Sequence, residues 1–236
     1  MIAALPMYDW PALRPATDAF WAAVAGWLAA HGIAAPAALS RPRDAAEAWR
    51  HPDLLIGQTC GMPWVSGLCG AARLVARPDY GLADAGGGAY RSVIVGRAGD
   101  AGGAGGGARE DPEALLARQG GRVAVNEWGS FSGHIALRAH LAGLRDGAAG
   151  PFFGAAVPSG SHRASARLVA RGDADVAALD AVAWALLEAH EPETARRLAI
   201  LDRTAPAPAL PYITAPRFAA LGPLLAEALD AAARAA

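Results

Sequence analysis

The sequence predicts an α/β fold in which mainly parallel sheets carry helices on both faces. Two observations support this prediction. Short apolar segments alternate with helical patterns along the chain, and strands that alternate with helices form parallel sheets covered on both sides. Hydrophobic residues make up 53% of the 236 residues and charged residues 18%, a balance typical of a packed globular protein rather than a disordered chain.

The first part of the chain establishes the alternation. An apolar strand is predicted to begin at Ile2, and the helix after it ends at Gly32, because glycine commonly terminates helices. A buried strand follows over 53–57. Two further strands are predicted over 73–76 and 90–96, the second rich in β-branched residues.

The alternation resumes after a segment over 99–107 that consists almost entirely of Gly and Ala. Such residues cannot fill a core, so we expect a flexible surface loop there. Phosphate-binding loops connect a strand tightly to a helix, and this segment does not. The later strands are predicted over 122–125, 152–157, 175–179 and 198–201, and the later helices over 132–141, 161–171, 181–190 and 223–235.

Composition excludes several functions. The formal net charge of -1 offers no basic surface for nucleic acid. All 21 basic residues are Arg, which excludes mechanisms that need a lysine Schiff base or a phosphate-loop lysine. Cys60 and Cys69 are too few for a disulfide framework or a four-thiolate zinc site, and the His residues lack the paired spacing of metal sites. We therefore expect free buried thiols, although the two cysteines could pair in an exported protein, and we expect neither a metal nor a cofactor.

No segment predicts insertion into a membrane. The uncharged stretch 19–40 is interrupted by Gly32 and Pro36, which makes it a poor membrane-spanning helix. The first 13 residues contain Asp9 and no basic residue, so the charged start of a secretory signal is missing. We expect a soluble monomer.

Polar side chains follow the predicted strands, where open α/β sheets bind their ligands. Tyr8 follows the first strand, and Gln58 and Thr59 follow the second. Tyr90 lies at the start of the strand that enters the second half of the chain, where we expect the wall of a cleft. These four residues are candidate ligands.

The sharpest local pattern is Asn126-Glu-Trp-Gly-Ser-Phe-Ser-Gly133, between a strand and a helix. At the start of this helix, the dipole and the free backbone amides favour an anion, and no Lys is needed. The candidate ligands there are Ser130, Ser132 and Gly133. Asn126 adds a side-chain amide. The alternative is that Ser130 only caps the helix, and capping and binding can coexist.

A second helix entry follows the next strand, in Pro158-Ser-Gly-Ser-His162. Ser159, Ser161 and His162 can donate to the same anion if the two strands are neighbours. His162 can also respond to pH, although a lone His is more often structural. His134 is a weaker candidate.

Asp180 ends another predicted strand and places a carboxylate at the same edge. A carboxylate beside an anion is costly unless it is paired, so we expect a ligand with a protonated oxygen or an amine. The alternative is a helix cap. A Ser-His-Asp hydrolase is a further alternative, but the chain has no Gly-x-Ser-x-Gly motif and no second carboxylate to orient a His.

In order and spacing, seven blocks resemble the phosphate/phosphonate-type substrate-binding proteins of ABC transporters, which have the type II periplasmic-binding-protein fold. The resemblance covers nearly the whole chain. The blocks are Leu5-Pro-Met-Tyr8, Leu55-Ile-Gly-Gln-Thr-Cys-Gly61, Tyr90-Arg-Ser-Val-Ile-Val95, Val125-Asn-Glu-Trp-Gly-Ser-Phe-Ser-Gly133, Ser159-Gly-Ser-His-Arg-Ala-Ser165, Gly172-Asp-Ala-Asp-Val-Ala-Ala-Leu-Asp180 and Arg203-Thr-Ala-Pro-Ala-Pro-Ala-Leu-Pro211.

The resemblance implies two lobes with a ligand cleft between them. Lobe 1 would comprise residues 1–89 and 197–236, and lobe 2 would comprise residues 90–196, inserted between them. The residues implied to line the cleft are Tyr8, Ser130, Ser132, His162 and Asp180.

The function implied is capture of a small oxyanion by hinge closure for an ABC transporter, with a permease as partner. Phosphate, a phosphonate or a similar small acid, anionic or zwitterionic, would be the ligand. The family predicts a periplasmic location, whereas the missing signal segment predicts the cytoplasm. Two alternatives stay open: a cytosolic enzyme in which Asp180 or His162 acts as acid or base, and a ligand sensor.

Overall fold

The computed structural model describes residues 1–82, 87–100, 110–145 and 150–235. The chain divides into two compact units. Unit 1 combines Met1–Pro78 with Ala209–Ala236, and unit 2 is Asp79–Pro208. The predicted loop over 99–107 lies outside the described residues from residue 101 onward.

The described strands are short, with two to six residues each. In chain order they are β1 (Ile2–Ala4), β2 (Leu54–Gln58), β3 (Arg73–Ala76), β4 (Ala89–Tyr90), β5 (Ser92–Arg97), β6 (Arg122–Val125), β7 (Ala155–Pro158), β8 (Val176–Asp180), β9 (Leu198–Arg203), β10 (Ala207–Pro208) and β11 (Tyr212–Thr214).

The described α-helices are α1 (Arg14–Ala30), α2 (Ala45–Trp49), α3 (Gly61–Pro63), α4 (Pro112–Leu116), α5 (Ala136–Leu144), α6 (His162–Arg171), α7 (Ala181–His190), α8 (Pro192–Ala195) and α9 (Gly222–Ala235). Two π-helical turns, Trp64–Leu68 and Phe131–Ile135, and one 3-10 helix, Pro216–Leu221, complete the described helical segments. No helix in the described ranges has the length and apolar character needed to cross a lipid bilayer.

Unit 1 contains a four-stranded sheet in the order β1-β2-β11-β3. β1 and β2 are parallel, and β11 is antiparallel to both of its neighbours. One core joins the sheet to α1 and α9, which contribute Trp21, Leu28 and Leu225. A second core joins the sheet to Ala48 and Leu68. The first core draws on apolar residues at helical spacing in α1, where Trp21, Val24 and Leu28 are buried.

Unit 2 contains a five-stranded sheet in the order β7-β6-β8-β5-β9. β7, β6 and β8 are parallel, whereas β5 is antiparallel to β8 and to β9. Its core combines Ile94, Val123 and Val176 of the sheet with Leu137 and Leu141 of α5. The carboxyl ends of β6, β7 and β8 therefore lie side by side.

Both sheets are mixed, so the prediction of mainly parallel sheets is wrong. Parallel neighbours need a crossover connection, which is usually a helix. β5 and β11 follow segments in which no helix is described, and both run antiparallel to their neighbours. The alternating pattern of strands and helices predicts only the strands that helices connect.

The boundaries of the units differ from the lobes predicted over 1–89, 90–196 and 197–236. The prediction assigns 198–203 to lobe 1, but β9 pairs with β5 inside the sheet of unit 2. β4 pairs with β10, also within unit 2. Because β4 pairs with β10 and β5 pairs with β9, unit 2 extends beyond the predicted segment 90–196 at both ends.

An ion pair joins the start of β6 to the residue before β8. Asp175 accepts hydrogen bonds from the Arg122 amide at 2.7 Å and from its guanidinium at 2.9 Å. The Arg122 guanidinium holds the pKa of the Asp175 carboxyl below its usual value.

The Asp175→Asn variant should lower the free energy of unfolding at neutral pH by up to about 1 kcal/mol, because the pair is partly exposed. A carboxyl whose folded-state pKa is lowered stabilises above its unfolded pKa, and this contribution is lost as the pH falls through the folded value. The difference between variant and wild type should therefore shrink below about pH 4. Urea denaturation across this pH range measures it, and an undiminished difference in acid would contradict the ionic explanation.

The Leu28→Ala variant should destabilise unit 1 by about 2–5 kcal/mol, because Leu28 is fully buried and a shorter side chain leaves a cavity. Leu74→Ala is the matched control. Leu74 lies on β3 of the same unit and is 41% exposed, so we expect a change within about 0.5 kcal/mol. Denaturation followed by tryptophan fluorescence measures both, and equal losses would contradict the described packing of α1.

Candidate functional site

The segment between β6 and α5 is held in shape by Ser130. Its backbone is extended, and its Oγ accepts a hydrogen bond from the Gly133 amide at 3.1 Å, as an N-cap does. The residues that follow form the π-helical turn, in which the Ile135 amide donates to the Ser130 carbonyl at 3.2 Å. Such turns are frequent at functional sites.

Gly133 permits a close approach of Asn126 and His162. A Cβ atom at this position would lie 1.8 Å from Asn126 Oδ1 and 3.1 Å from His162 Cε1, so only glycine fits without displacing them. Asn126 Oδ1 is buried and accepts no hydrogen bond from any described residue. Buried amide oxygens normally have a hydrogen-bond partner, so Asn126 Oδ1 is an exception among the described residues.

His162 joins the ends of three strands. It is the first residue of α6, after β7, and its Nδ1 lies 3.2 Å from the Ala178 carbonyl of β8. Its Nε2 lies 2.9 Å from Ser132 Oγ, which follows β6. A carbonyl only accepts, so Nδ1 carries a hydrogen and Nε2 is the nitrogen presented to Ser132.

Asp180 lies at the same place. It is the last residue of β8, is 3% exposed, and caps α7 through a hydrogen bond from the Ala183 amide to Oδ1 at 2.7 Å. Its other oxygen, Oδ2, lies 3.4 Å from His162 Nε2. Asp180 therefore caps a helix and also lies at the carboxyl end of its strand, as the two alternative interpretations of the sequence predicted.

The geometry of Ser132, His162 and Asp180 is not that of a hydrolase triad. In a triad the carboxylate orients one imidazole nitrogen while the serine contacts the other. Here Ser132 and Asp180 both approach Nε2, and a backbone carbonyl holds Nδ1. Within the described ranges, no three His, Cys, Asp or Glu side chains are grouped so that they could hold a metal ion.

Sequence reasoning missed Ser92, which supports the site from β5. Its Oγ donates to the Ser132 carbonyl at 2.9 Å, and its amide donates to Thr204 Oγ1 at 3.0 Å. A polar residue in an otherwise apolar strand was the available signal. Tyr90, a predicted ligand two residues earlier, is 1% exposed, and its backbone pairs with Ala207.

The hydroxyls of Ser159 and Ser161 are engaged by their own helix entry. Ser161 Oγ caps α6 by accepting from the Ala164 amide at 3.1 Å. Ser159 Oγ lies 2.6 Å from Ser165 Oγ. Of the three candidates in the second helix entry, His162 is the one whose side chain contacts the first entry, through Ser132.

Three predicted ligands lie in unit 1. Tyr8 has a φ of 63°, a left-handed conformation that is strained for a residue with a Cβ and recurs at functional sites. Gln58 and Thr59 are buried. Gln58 Nε2 donates to the Leu210 carbonyl at 3.4 Å, and Thr59 Oγ1 donates to the Cys60 carbonyl at 3.3 Å.

A profile of the family described as ABC transporter, phosphonate, periplasmic substrate-binding protein matches residues 41–235. The chain belongs to this family. Its members are periplasmic components that bind substrate for a transporter, so this phosphonate-family protein is a binding protein and not an enzyme. The resemblance stated from the sequence blocks is confirmed, and the alternative of a cytosolic enzyme is wrong.

Solved structures similar to this family member confirm the type II periplasmic-binding-protein fold. PhnD1 from Prochlorococcus marinus, in complex with methylphosphonate, has a TM-score of 0.70 at 16% identity, covering 98% of this chain and 82% of that one. A binding protein component of an ABC phosphonate transporter from Pseudomonas aeruginosa has a TM-score of 0.63 at 17% identity, covering 91% and 68%. A chloride-bound protein from Xanthomonas citri has a TM-score of 0.61 at 17% identity, covering 98% and 82%. No curated protein sequence matches the chain.

The Gly133→Ala variant of this binding protein should be destabilised by about 1–3 kcal/mol, because the added methyl group displaces the Asn126 amide from a packed position. Gly129→Ala is the matched control in the same loop, since a Cβ there meets no atom within 4 Å. Thermal unfolding of the two variants measures the difference. Equal melting temperatures would show that Asn126 moves aside without cost.

Proposed function

We propose that unit 2 binds the phosphonate group of a small ligand at the ends of β6, β7 and β8, as the substrate-binding component of an ABC transporter. The observation that carries this proposal is the convergence of Ser132, His162 and Asp180, each supplied by a different strand end. Family membership supports the phosphonate class, and the methylphosphonate complex of the Prochlorococcus protein agrees with it.

Uncharged donors can hold the anion here. Ser130 Oγ uses a lone pair to accept from the Gly133 amide, which leaves its hydroxyl hydrogen to donate to a ligand oxygen. The segment that begins at Phe131 and the start of α6 both present the positive ends of helices. The amide group of Asn126 is a further donor, and no lysine is required.

The full set of proposed ligand residues is that of the sequence prediction. In unit 2 the set comprises Tyr90, Asn126, Ser130, Ser132, Gly133, Ser159, Ser161, His162 and Asp180, and in unit 1 it comprises Tyr8, Gln58 and Thr59. The contacts of Ser132, His162 and Asp180 support this assignment most directly, and the strained backbone of Tyr8 supports it in unit 1. We also propose a monomer that works in the periplasm with a permease as its partner.

Isothermal titration calorimetry with methylphosphonate tests the function, and Ser130→Ala tests the site. Loss of a hydrogen bond to an anion is worth about 1.5–3 kcal/mol, so the Kd should rise about tenfold to a hundredfold. Phosphate, sulfate and acetate serve as competing ligands. Failure of methylphosphonate to bind more tightly than about 1 mM would remove the proposed function.

Asp111→Ala is the matched control for Ser130→Ala. Asp111 caps α4 of the same unit through a hydrogen bond from the Ala114 amide at 3.0 Å, so its loss costs a similar cap, about 1 kcal/mol of stability. We expect both variants to lose stability and only Ser130→Ala to lose affinity. Equal loss of affinity in the two variants would assign the effect to stability rather than to ligand contact.

A further inference from the structure

A cavity lies in unit 2 on the face of the sheet that packs against α5. It has a volume of about 650 Å³ and is lined by residues of β6, α5, β7 and the segment that leads into β7. Small-molecule sites usually have volumes of about 300–1,000 Å³. Its described lining residues do not include Ser130, Ser132, His162 or Asp180, so this cavity is distinct from the site at the strand ends.

The floor of the cavity is apolar. Val123 of β6 and Leu137 and Leu141 of α5 line it, and all three belong to the core of unit 2. Phe152 and Phe153 line it as well and form an edge-to-face pair, with ring centroids 4.7 Å apart. Transfer of an apolar ligand surface from water to such a floor is favourable.

An exposed tryptophan extends this apolar surface. Trp128 lines the cavity and is 57% exposed. His134 holds it in place, because its Nδ1 donates to the Trp128 carbonyl at 2.8 Å and its ring meets the indole edge to face, with centroids 5.3 Å apart. An exposed apolar surface of this kind marks an interaction site, and a ring that is already held loses little entropy when a ligand binds.

The ionisable groups that line the cavity are basic. They are His134, Arg138 and Arg145, and none of the described lining residues is acidic. Arg145 Nη1 donates to the Gly150 carbonyl at 3.2 Å, and its guanidinium lies 5.8 Å from the centroid of the Phe152 ring. Arg138 is exposed and forms no ion pair within the described ranges. The charge of the cavity therefore matches a ligand that carries a negative group beside an apolar body.

We propose that this cavity is a second binding site, for a small amphipathic carboxylic acid. The apolar body of the ligand lies on the floor and against Trp128, and its carboxylate faces the guanidinium groups of Arg138 and Arg145. The inference does not depend on the phosphonate site, and it uses none of residues 146–149, which lie outside the described ranges.

Octanoate, octanol and octylamine are the matched probes, because they share one chain and carry a negative charge, no charge and a positive charge. Each is titrated calorimetrically into the full chain at low ionic strength. We expect octanoate to bind with a Kd below about 1 mM. Octanol should bind about threefold more weakly, since the partly exposed guanidinium groups make only a modest contribution, and octylamine more weakly still.

Ala142→Trp is the decisive variant. Ala142 lines the cavity from the exposed side of α5, so a large side chain there occupies the cavity, and octanoate affinity should fall at least about tenfold. Ala139→Trp is the matched control, because Ala139 is exposed on the same helix and is not a lining residue. It should keep the wild-type affinity, and circular dichroism checks that both variants fold.

Arg138→Gln tests the charge. It should lower the affinity for octanoate about threefold and leave the affinity for octanol unchanged. Arg196→Gln is its control, since Arg196 is an exposed arginine of the same unit that pairs with Glu193, and it should change neither affinity.

Three results would overturn the inference. The first is octanoate that binds no more tightly than about 1 mM, or no more tightly than octanol and octylamine. The second is equal octanoate affinity in Ala142→Trp and Ala139→Trp, which places the binding elsewhere. The third is a wild-type dimer, measured by analytical ultracentrifugation, that Ala142→Trp abolishes and Ala139→Trp keeps, because a second copy of the chain then occupies the cavity.

Discussion

The hydrogen bond between Ser132 Oγ and His162 Nε2 joins two strand ends of unit 2. Through Nδ1, the same imidazole contacts the Ala178 carbonyl on a third strand, next to Asp180. One imidazole ring thus contacts the segment that follows β6, the segment that follows β7, and the last residues of β8. A buried polar network of this kind stabilises a protein when its members are satisfied, and the Asn126 Oδ1 atom near it accepts no hydrogen bond from any described residue.

Most of the βα pattern was predictable, because crossover helices and the strands they connect leave strong periodic patterns in the sequence. The predicted strands over 73–76 and 122–125 and the helix over 181–190 match the observed bounds. β11 was not predicted. Its three residues, Tyr212–Thr214, are too short for a periodic pattern, and only tertiary pairing with β2 and β3 makes them a strand.

The part of the candidate site that depends on which residues end or follow a strand was predictable from the sequence. Asp180 ends β8 and His162 follows β7, and both strands pair with β6 in a parallel arrangement that brings their carboxyl ends to one edge of the sheet. The polar residue at the start of β5 marked Ser92 as unusual, but its contact with the Ser132 carbonyl was not predictable, since no pattern shows which carbonyl a buried serine faces. The π-helical turn at Phe131–Ile135 was also missed, because one extra residue in a turn hardly changes the spacing of apolar residues. Whether Ser159 and Ser161 only cap α6 depends on hydroxyl contacts that spacing cannot show.

The discontinuity of unit 1 determines the order in which the chain can fold. During synthesis the N-terminal segments emerge first, but β11 lies between β2 and β3 and comes from the far end of the chain. Unit 2 is complete at Pro208, before either β11 or α9 has been made. The part of the apolar face of α1 that packs against α9 therefore stays uncovered until α9 has been made.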